Sequence, residues 1–337
     1  MKKFEFMSRP HPARRIEIEE AITLFLNAKK VERRSERTIK TYRGELTRFA
    51  KWFNENGHEN LERQTLEAYI SYLTYDKSKW DDHPTNPVGG KGLSARTVNN
   101  TIRCLKIFLN HLVAERYLTV NPIEGLEYQP MEDKQFEVFS KEQVKALLAA
   151  PNKRMYPGYR DYVMMLVLLD TGLRIGEMTS LKVSDVDFVL RQITVRWEIS
   201  KTNRTRIIPI SETTAKELHG LIEFCGLEVD DYLWLTQFGE RYLGDQFAKM
   251  LKKYGERAGI VGVRVSPHTF RHTFATMYLL NGGDTFSLQK ILGHTTMDMV
   301  AVYVRLTNSN IQDQHVKYSP VSNIQPRGRS KGAIRFK

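Results

Sequence analysis

In the stretch SPHTFRHTFAT, residues 266–276, His268, Arg271 and His272 recur at spacings of three and four, so on a helix they share one face. Like charges so placed repel one another slightly. The arrangement becomes favourable when an anion sits in front of it, and a guanidinium fork matches the oxygens of a phosphate. Histidines four apart on a helix can also hold zinc. Against that, Arg271 stands between them, and no glutamate follows His268 as the zincin pattern requires. Taken alone, the stretch fits either two core-edge imidazoles with a surface arginine or a phosphate site. Five more residues bear on the choice. DTGLRIGEMTSL offers Arg174 where a turn enters a helix, with Glu177 three residues on; SKTNRTRIIPI puts Lys201 at a hairpin tip; LGHTTMDMVAVYVRL gives His294, and Tyr303 nine residues later. Each has a plainer reading: Glu177 as a surface i,i+3 residue, Lys201 as a turn cation, Tyr303 as a core aromatic, although Val300, Val302 and Val304 already serve a core.

These residues need elements to hold them. Residues 17–128 predict helices. TIKTYRGELTRFAKWF places Ile39, Tyr42, Leu46, Phe49 and Phe53 at helical spacing, with Arg37, Arg43, Arg48 and Lys51 between them. LSARTVNNTIRCLKIFLNHLVAERY repeats the pattern with Val98, Ile102, Leu105, Leu109 and Leu112 behind Ser94 as N-cap, and its other face carries Arg96, Asn99, Arg103 and Lys106. One such face reads as solvated helix surface. Two of them in a chain of net charge +12 point to DNA, with Arg43, Arg96, Arg103 and Lys106 as contacts. The stretch from Asp76 to Gly92 reads as a loop. Periodicity lapses around Pro122 and Pro130, which sets a linker at 129–138, and Ser140 with Gln143 opens the next helix as a capping box.

From 139 to 320 the pattern is mixed. YVMMLVLLDTGLRIGEMTSL predicts a buried helix, a turn at Gly172 and a second helix; QITVRWEI and RTRIIPI predict strands about the turn SKTN. Arg204 and Arg206, just past Lys201, join the expected DNA contacts. Five helical stretches follow: ETTAKELHGLIEF, LGDQFAKMLKKYGERAG, SPHTFRHTFATMYLL, SLQKILG and MDMVAVYVRL. The fold class is therefore mainly α with a small β-sheet, an all-α N-terminal domain (17–128) preceding a mixed α/β domain (139–320). A basic segment (1–16) and a basic tail (321–337) flank them; QPRGRSKGAIRFK has five cations and no acid, is expected to be flexible, and can touch phosphate.

Composition agrees. The 337 residues are 41% hydrophobic, enough for real cores, and 51 Lys and Arg against 39 Asp and Glu suit a polyanion, nucleic acid or an anionic membrane surface. The two cysteines, Cys104 and Cys225, lie in apolar helical contexts and read as buried thiols. No apolar run reaches the roughly 18 residues of a membrane span, and the basic N-terminus lacks an apolar signal core, so a cytoplasmic protein is expected.

In this order, TGLRIGE, a lysine hairpin, HTFRH, LGH and a late tyrosine resemble the tyrosine recombinases, also called phage integrases, and among them the Xer-like simple site-specific recombinases. The resemblance covers Phe139 to Pro320 and extends more loosely to the N-terminal half, which is similar to that family's core-binding, SAM-like domain. It implies that Tyr303 is the nucleophile of a 3′-phosphotyrosyl intermediate, that Arg174 and Arg271 bind the scissile phosphate, and that Lys201 protonates the leaving 5′-oxygen. His268 and His294 would hydrogen-bond the phosphate, Glu177 would orient the site, and His272 would be structural. It further implies double-stranded DNA with paired inverted repeats, a homotetramer exchanging strands through a Holliday junction, and docking of the segment LTNSNIQDQHVKYSPV on a neighbouring protomer. Because the first helix begins near residue 17, no separate arm-binding domain is expected.

The chemistry is coherent with the residue types. Arginines stay charged at any usable pH, and preorganised cations are the usual large term in stabilising a developing phosphorane. A tyrosine with a reference pKa near 10 gains from a positive field as it becomes a phenolate. A phosphotyrosine bond conserves the energy of the broken phosphodiester, so religation needs neither ATP nor metal, and neither a cofactor nor a metal site is expected. A type IB topoisomerase, with the same chemistry and no partner site, and a non-catalytic DNA-binding protein on the same scaffold are the alternatives.

Overall fold

The computed structural model describes residues 16–79, 89–131, 137–306, 315 and 319–321, and of 298, 299, 305 and 306 only the backbone. The expected basic segment and tail, part of the loop and linker, and most of the segment after Tyr303 lie outside these residues. The chain divides into two compact units, Met1–Lys134 and Gln135–Lys337.

The first unit is helical: α1 (Ile18–Val31), α2 (Glu36–Glu55), α3 (Arg63–Ser71), extended by a π-turn, and α4 (Ala95–Ala114). Ser35 and Ser94 cap α2 and α4 by accepting from the backbone of Thr38 and Thr97, relieving the unsatisfied amides of each first turn. The apolar stripes read in the sequence close one core around Phe25, Leu46, Phe49, Ile102, Leu105 and Phe108. Two residues of the expected polar face of α4 turn inward instead. Asn99 is buried, and its amide donates to Gln129 O and accepts from Gln129 N, both at 2.8 Å. Lys106 donates to Leu126 O at 2.6 Å and stands over the Tyr128 ring. Both serve the strand of chain that follows α4, which has no regular partner for its backbone groups. Lys106 is therefore not the free DNA contact the helical pattern suggests.

The second unit opens on α5 (Lys141–Ala149), with the Ser140–Gln143 capping box formed, and α6 (Tyr156–Thr171), apolar on nearly every side and so buried. A short α7 (Ile175–Met178) leads to an antiparallel sheet of β1 (Val186–Asp187), β2 (Gln192–Val195) and β3 (Arg206–Pro209) in that order. The strands are shorter than the sequence suggests, and β1 was not anticipated. The ladder ends at the pair Val195↔Arg206, because Arg196 swings to Asp185 and the backbone turns at once through Ser200 N to Arg196 O. Lys201 thus sits in a ten-residue turn rather than at a tight tip. Helices α8 (Glu212–Cys225), α9 (Gly244–Arg257), α10 (Pro267–Leu280), α11 (Thr285–Leu292) and α12 (Asp298–Leu306) complete the unit. Trp234, Phe139, Phe247 and Phe270 fill its core, while α10 and α12 close a smaller cluster around Phe274, Leu292, Val300 and Tyr303. Both cysteines are free; Cys104 is buried, its thiol pushed up to about 12 by that burial, but Cys225 is only half-buried. Among the described residues no helix is long and apolar enough to cross a membrane.

Gly172 ends α6 in the left-handed region, φ 60°, where an L side chain is strained. A Cβ there meets the Phe274 ring and lies 2.8 Å from Leu292 Cδ2. Gly172→Ala is expected to destabilise the protein by about 2–5 kcal/mol, the sum of backbone strain and overpacking. Urea denaturation checks it: the midpoint falls with little change in slope.

Candidate active site

The turn at Gly172 delivers Arg174 to the start of α7. With extended backbone at Arg174, Glu177 folds back onto it and accepts from Arg174 N at 3.1 Å and from Arg174 Nη1 at 3.0 Å. The same carboxylate, only 2% exposed, accepts from Arg206 Nη2 at 2.6 Å and Nη1 at 3.2 Å. Burial alone raises the Glu177 pKa; the Arg206 and Arg174 bonds and charges outweigh it and hold the carboxyl below its ordinary 4.5. Glu177 is therefore no surface residue, and it spends its charge on two guanidiniums.

Helix α10 starts at Pro267 behind the Ser266 cap, which puts His268 in its first turn and Arg271 and His272 one turn on. Arg271 is 5% exposed. Its Nη1 donates to Gly172 O at 2.6 Å, and its Nη2 donates to Leu292 O at 2.9 Å and to His294 Nε2 at 2.8 Å. No carboxylate among the described residues pairs with it, and burial, then the neighbouring Arg174, lowers its pKa to about 10. It still carries a full charge at neutral pH.

Arginine can only donate, so His294 Nε2 accepts and the ring proton resides on Nδ1. That Nδ1 is buried and has no hydrogen-bond partner among the described residues. Burial, then Arg271, Arg174 and Arg206, depress the His294 pKa to about 4, keeping the ring neutral. Gly293, φ 64°, makes the bend that turns His294 back from the end of α11.

Tyr303, on α12, is 3% exposed; its ring stacks on His294 and its hydroxyl lies 2.8 Å from His272 Nδ1. His272 is itself lowered to about 4 by burial, His268 and Arg271, so it meets the phenol as a neutral ring. The expectation of a phenolate-favouring field holds only in part. Arg271 and Arg174 do lower the Tyr303 pKa, but burial exceeds them and the net shift is upward. The positive field alone does not ionise this tyrosine. Lys201 lies exposed in the β2–β3 turn, close enough that its charge, with those of Arg271, Arg174 and Arg264, adds to packing in lowering the His268 pKa.

The fold thus gathers Arg174, Glu177, Lys201, His268, Arg271, His272, His294 and Tyr303. Of the expected DNA contacts, Arg43, Arg96, Arg103 and Arg204 are exposed. Arg206 is not: it is 9% exposed, and its third donor, Nε, holds Ile291 O at 2.9 Å. The signal was in the strand: Arg206 shares a face with buried Ile208, while Ile207 points out. Arg174, Arg206 and Arg271 against Glu177 leave two positive charges in a half-enclosed site, before Lys201 is counted.

The sequence profile described as "Phage integrase family" matches residues 137–310, and that described as "Phage integrase, N-terminal SAM-like domain" matches residues 22–119. Among curated relatives, the tyrosine recombinase XerD of Staphylococcus haemolyticus is 28% identical over 294 residues, 85% of this chain and 93% of that protein. The tyrosine recombinase XerC of Herpetosiphon aurantiacus is 29% identical over 290 residues, 83% and 87% respectively. The fold is similar to that of the XerH site-specific recombinase bound to palindromic difH substrate, with TM-score 0.68 and 17% identity over 92% of this chain and 99% of that one. It is likewise similar to the Tn1549 transposon integrase bound to transposon right-end DNA, with TM-score 0.64 and 19% identity over 89% and 99%.

Replacing Glu177 by glutamine removes the carboxylate that, among the described residues, neutralises Arg174 and Arg206. Breaking a buried pair in this way is expected to cost about 3–5 kcal/mol at pH 7. Because the folded pKa is depressed, the stabilisation is full above the ordinary 4.5 and is lost as pH falls through the folded value. Urea denaturation of wild type and Glu177→Gln is therefore expected to show a large gap at neutral pH that closes in acid.

Proposed function

The chain belongs to the phage integrase family, and from that premise we propose how its residues carry out tyrosine-type site-specific recombination of DNA. The observation that carries the assignment of roles is Arg271. A buried guanidinium with no carboxylate partner among the described residues, beside a buried His294 Nδ1–H without an acceptor and a tyrosine hydroxyl, suits an anionic phosphoryl group. A simple phosphodiester carries one negative charge, and a second develops as the phosphorane forms. The two net positive charges of the arginine–glutamate group match that count.

In the proposed reaction Tyr303 Oη attacks phosphorus and the P–O5′ bond breaks, leaving the 3′ end on the tyrosine. Arg174, bonded to Glu177 through a single side-chain N–H, keeps its other donors for the non-bridging oxygens. Arg271 has two N–H groups beyond those given to Gly172, Leu292 and His294. His294 Nδ1–H and His268 donate to the phosphate. His272 Nδ1 accepts from the phenol and directs an Oη lone pair toward phosphorus; with a pKa of about 4 it is a weak base, so it orients the hydroxyl at rest and takes the phenolic proton only as the Oη–P bond forms. Lys201 gives its proton to the departing 5′-oxygen. Religation reverses each step with the 5′-hydroxyl of the other strand.

The helical first unit, with Arg43, Arg96 and Arg103 outward, is assigned to the same duplex. Paired inverted-repeat sites, a homotetramer, exchange through a Holliday junction and docking of the segment after Tyr303 on a neighbouring protomer belong to this proposal as well. The similarity to the tyrosine recombinases XerD and XerC supports this reading.

Two experiments test the roles. A duplex enriched from random-sequence DNA by binding to the wild-type protein, nicked next to the cleavage point, traps the covalent adduct. Tyr303→Phe is expected to keep DNA affinity and to form no adduct; an adduct of undiminished yield removes Tyr303 from the role. On the same duplex, Lys201→Ala is expected to lose roughly 10²–10⁴ in cleavage rate, the range for a missing proton donor. With sulfur in place of the bridging 5′-oxygen, a leaving group stable as thiolate, its rate should return close to wild type while that of Arg174→Ala does not. Equal defects of Lys201→Ala on both substrates make Lys201 a binding residue and turn attention to His268.

A further inference from the structure

Arg206 was expected on the DNA, and its surroundings indicate another task. The β2–β3 ladder ends at Val195↔Arg206, so Arg206 is the last fixed point before the turn that carries Lys201. Its guanidinium grips two neighbours at once. Both Nη atoms hold the Glu177 carboxylate, which in turn holds Arg174 by backbone and side chain. Its Nε holds Ile291 O at the end of α11. The next carbonyl, Leu292 O, is an acceptor for Arg271, and His294 follows two residues later. Gly293 lies flat over the guanidinium: a Cβ there would stand 3.1 Å from Cδ, Nε and Cζ of Arg206. One side chain thereby joins the lysine turn, the first arginine and the segment that bears the second arginine's acceptor and the last histidine.

We propose that Arg206 is a positioning residue for strand cleavage, a strut that sets Lys201, Arg174 and His294 in register and makes no contact with DNA. The inference rests on the assignment of those three groups to catalysis. Only a guanidinium supplies it: three donors diverge in one plane, whereas a lysine ammonium, a compact charge at the end of a flexible stem, matches Glu177 or Ile291 O but not both oxygens and the carbonyl together. Misplacing a reacting group by about 1 Å can cost on the order of 10²-fold in rate.

The test uses full-length wild type, Arg206→Lys and Arg206→Ala on the enriched nicked duplex. Adduct formation by the wild type is the control; its failure sinks the catalytic assignment itself and leaves the strut a separate matter of fold. Given a wild-type adduct, single-turnover cleavage should drop at least about 10²-fold in Arg206→Ala, with Arg206→Lys in between. Affinity and its salt dependence should stay as in wild type, whereas loss of a phosphate contact makes log K against log salt shallower by about 0.9. Where Arg206→Ala fails to fold, Arg206→Lys carries the comparison.

Two further readouts separate positioning from a general loss of stability. Combined with Glu177→Gln, the Arg206→Ala effect on cleavage should be far from additive, because both changes break one connection. The acidic limb of the cleavage profile should move to higher pH in Arg206→Ala. Glu177 then keeps only Arg174 as direct partner and its pKa rises, and His294, still facing Arg271 and Arg174, loses one of the cations that keep it neutral. A cleavage rate within about threefold of wild type, smaller than any misplacement of this kind gives, overturns the proposal. So does a shallower salt slope, or an unmoved acidic limb.

Discussion

The carbonyl end of α11 and the Glu177 carboxylate are the two anchors on which the site depends. A helix C-terminus leaves its last carbonyls unpaired and carries partial negative charge. Here Ile291 O takes Arg206 and Leu292 O takes Arg271, so two guanidiniums that cannot fold into an apolar core are held at adjacent points of one helix end. Glu177 adds the third, Arg174, by sharing its oxygens with Arg206. Burial makes these bonds strong and makes the surplus charge costly. The fold tolerates that surplus because the carbonyls solvate it partially; in the proposed function a phosphoryl group completes it.

The same charge surplus sets the state of everything nearby. His294 and His272 are pushed to about 4, so each is a neutral ring with defined donor and acceptor edges. Neutral rings can sit beside these cations; imidazoliums there would be repelled by them. Tyr303 feels the field more weakly than its burial, and its hydroxyl stays protonated against His272. In the proposed reaction, nucleophile activation therefore belongs to the moment when phosphate is present and the Oη–P bond begins to form. In the resting protein the parts are aligned and neutral where they must be, which is the meaning of preorganisation at this site.

Much of this was legible in the residues themselves. Helix periodicity placed His268, Arg271 and His272 on one face, the Ser140–Gln143 box and the Ser94 cap appeared where read, and the turn at Gly172 was visible as a break in an apolar run. What escaped reading depended on contacts distant in sequence. Arg206 looked like one more cation beside a lysine, because nothing local tells that Glu177, 29 positions earlier, and Ile291, 85 later, converge on it. Asn99 and Lys106 lay at polar positions of α4, but a neighbouring segment without secondary structure needed their hydrogen bonds. The strands came out shorter than their β-branched residues suggest, since a single ion pair, Arg196 to Asp185, draws the chain out of the ladder.

In the proposed reaction, surplus positive charge at this site answers the charge that builds on the scissile phosphate. Replacing one non-bridging oxygen at that phosphate by a methyl group, which removes a negative charge and preserves the tetrahedral centre, tests it most directly. The rates to compare are those of wild type and Arg174→Ala on the normal and the methyl-substituted strand. If Arg174 acts through that charge, its removal should be severe on the normal phosphate and should shrink toward no effect on the neutral one. An Arg174→Ala defect of equal size on both strands rules out that charge role and places the arginine's work in geometry alone.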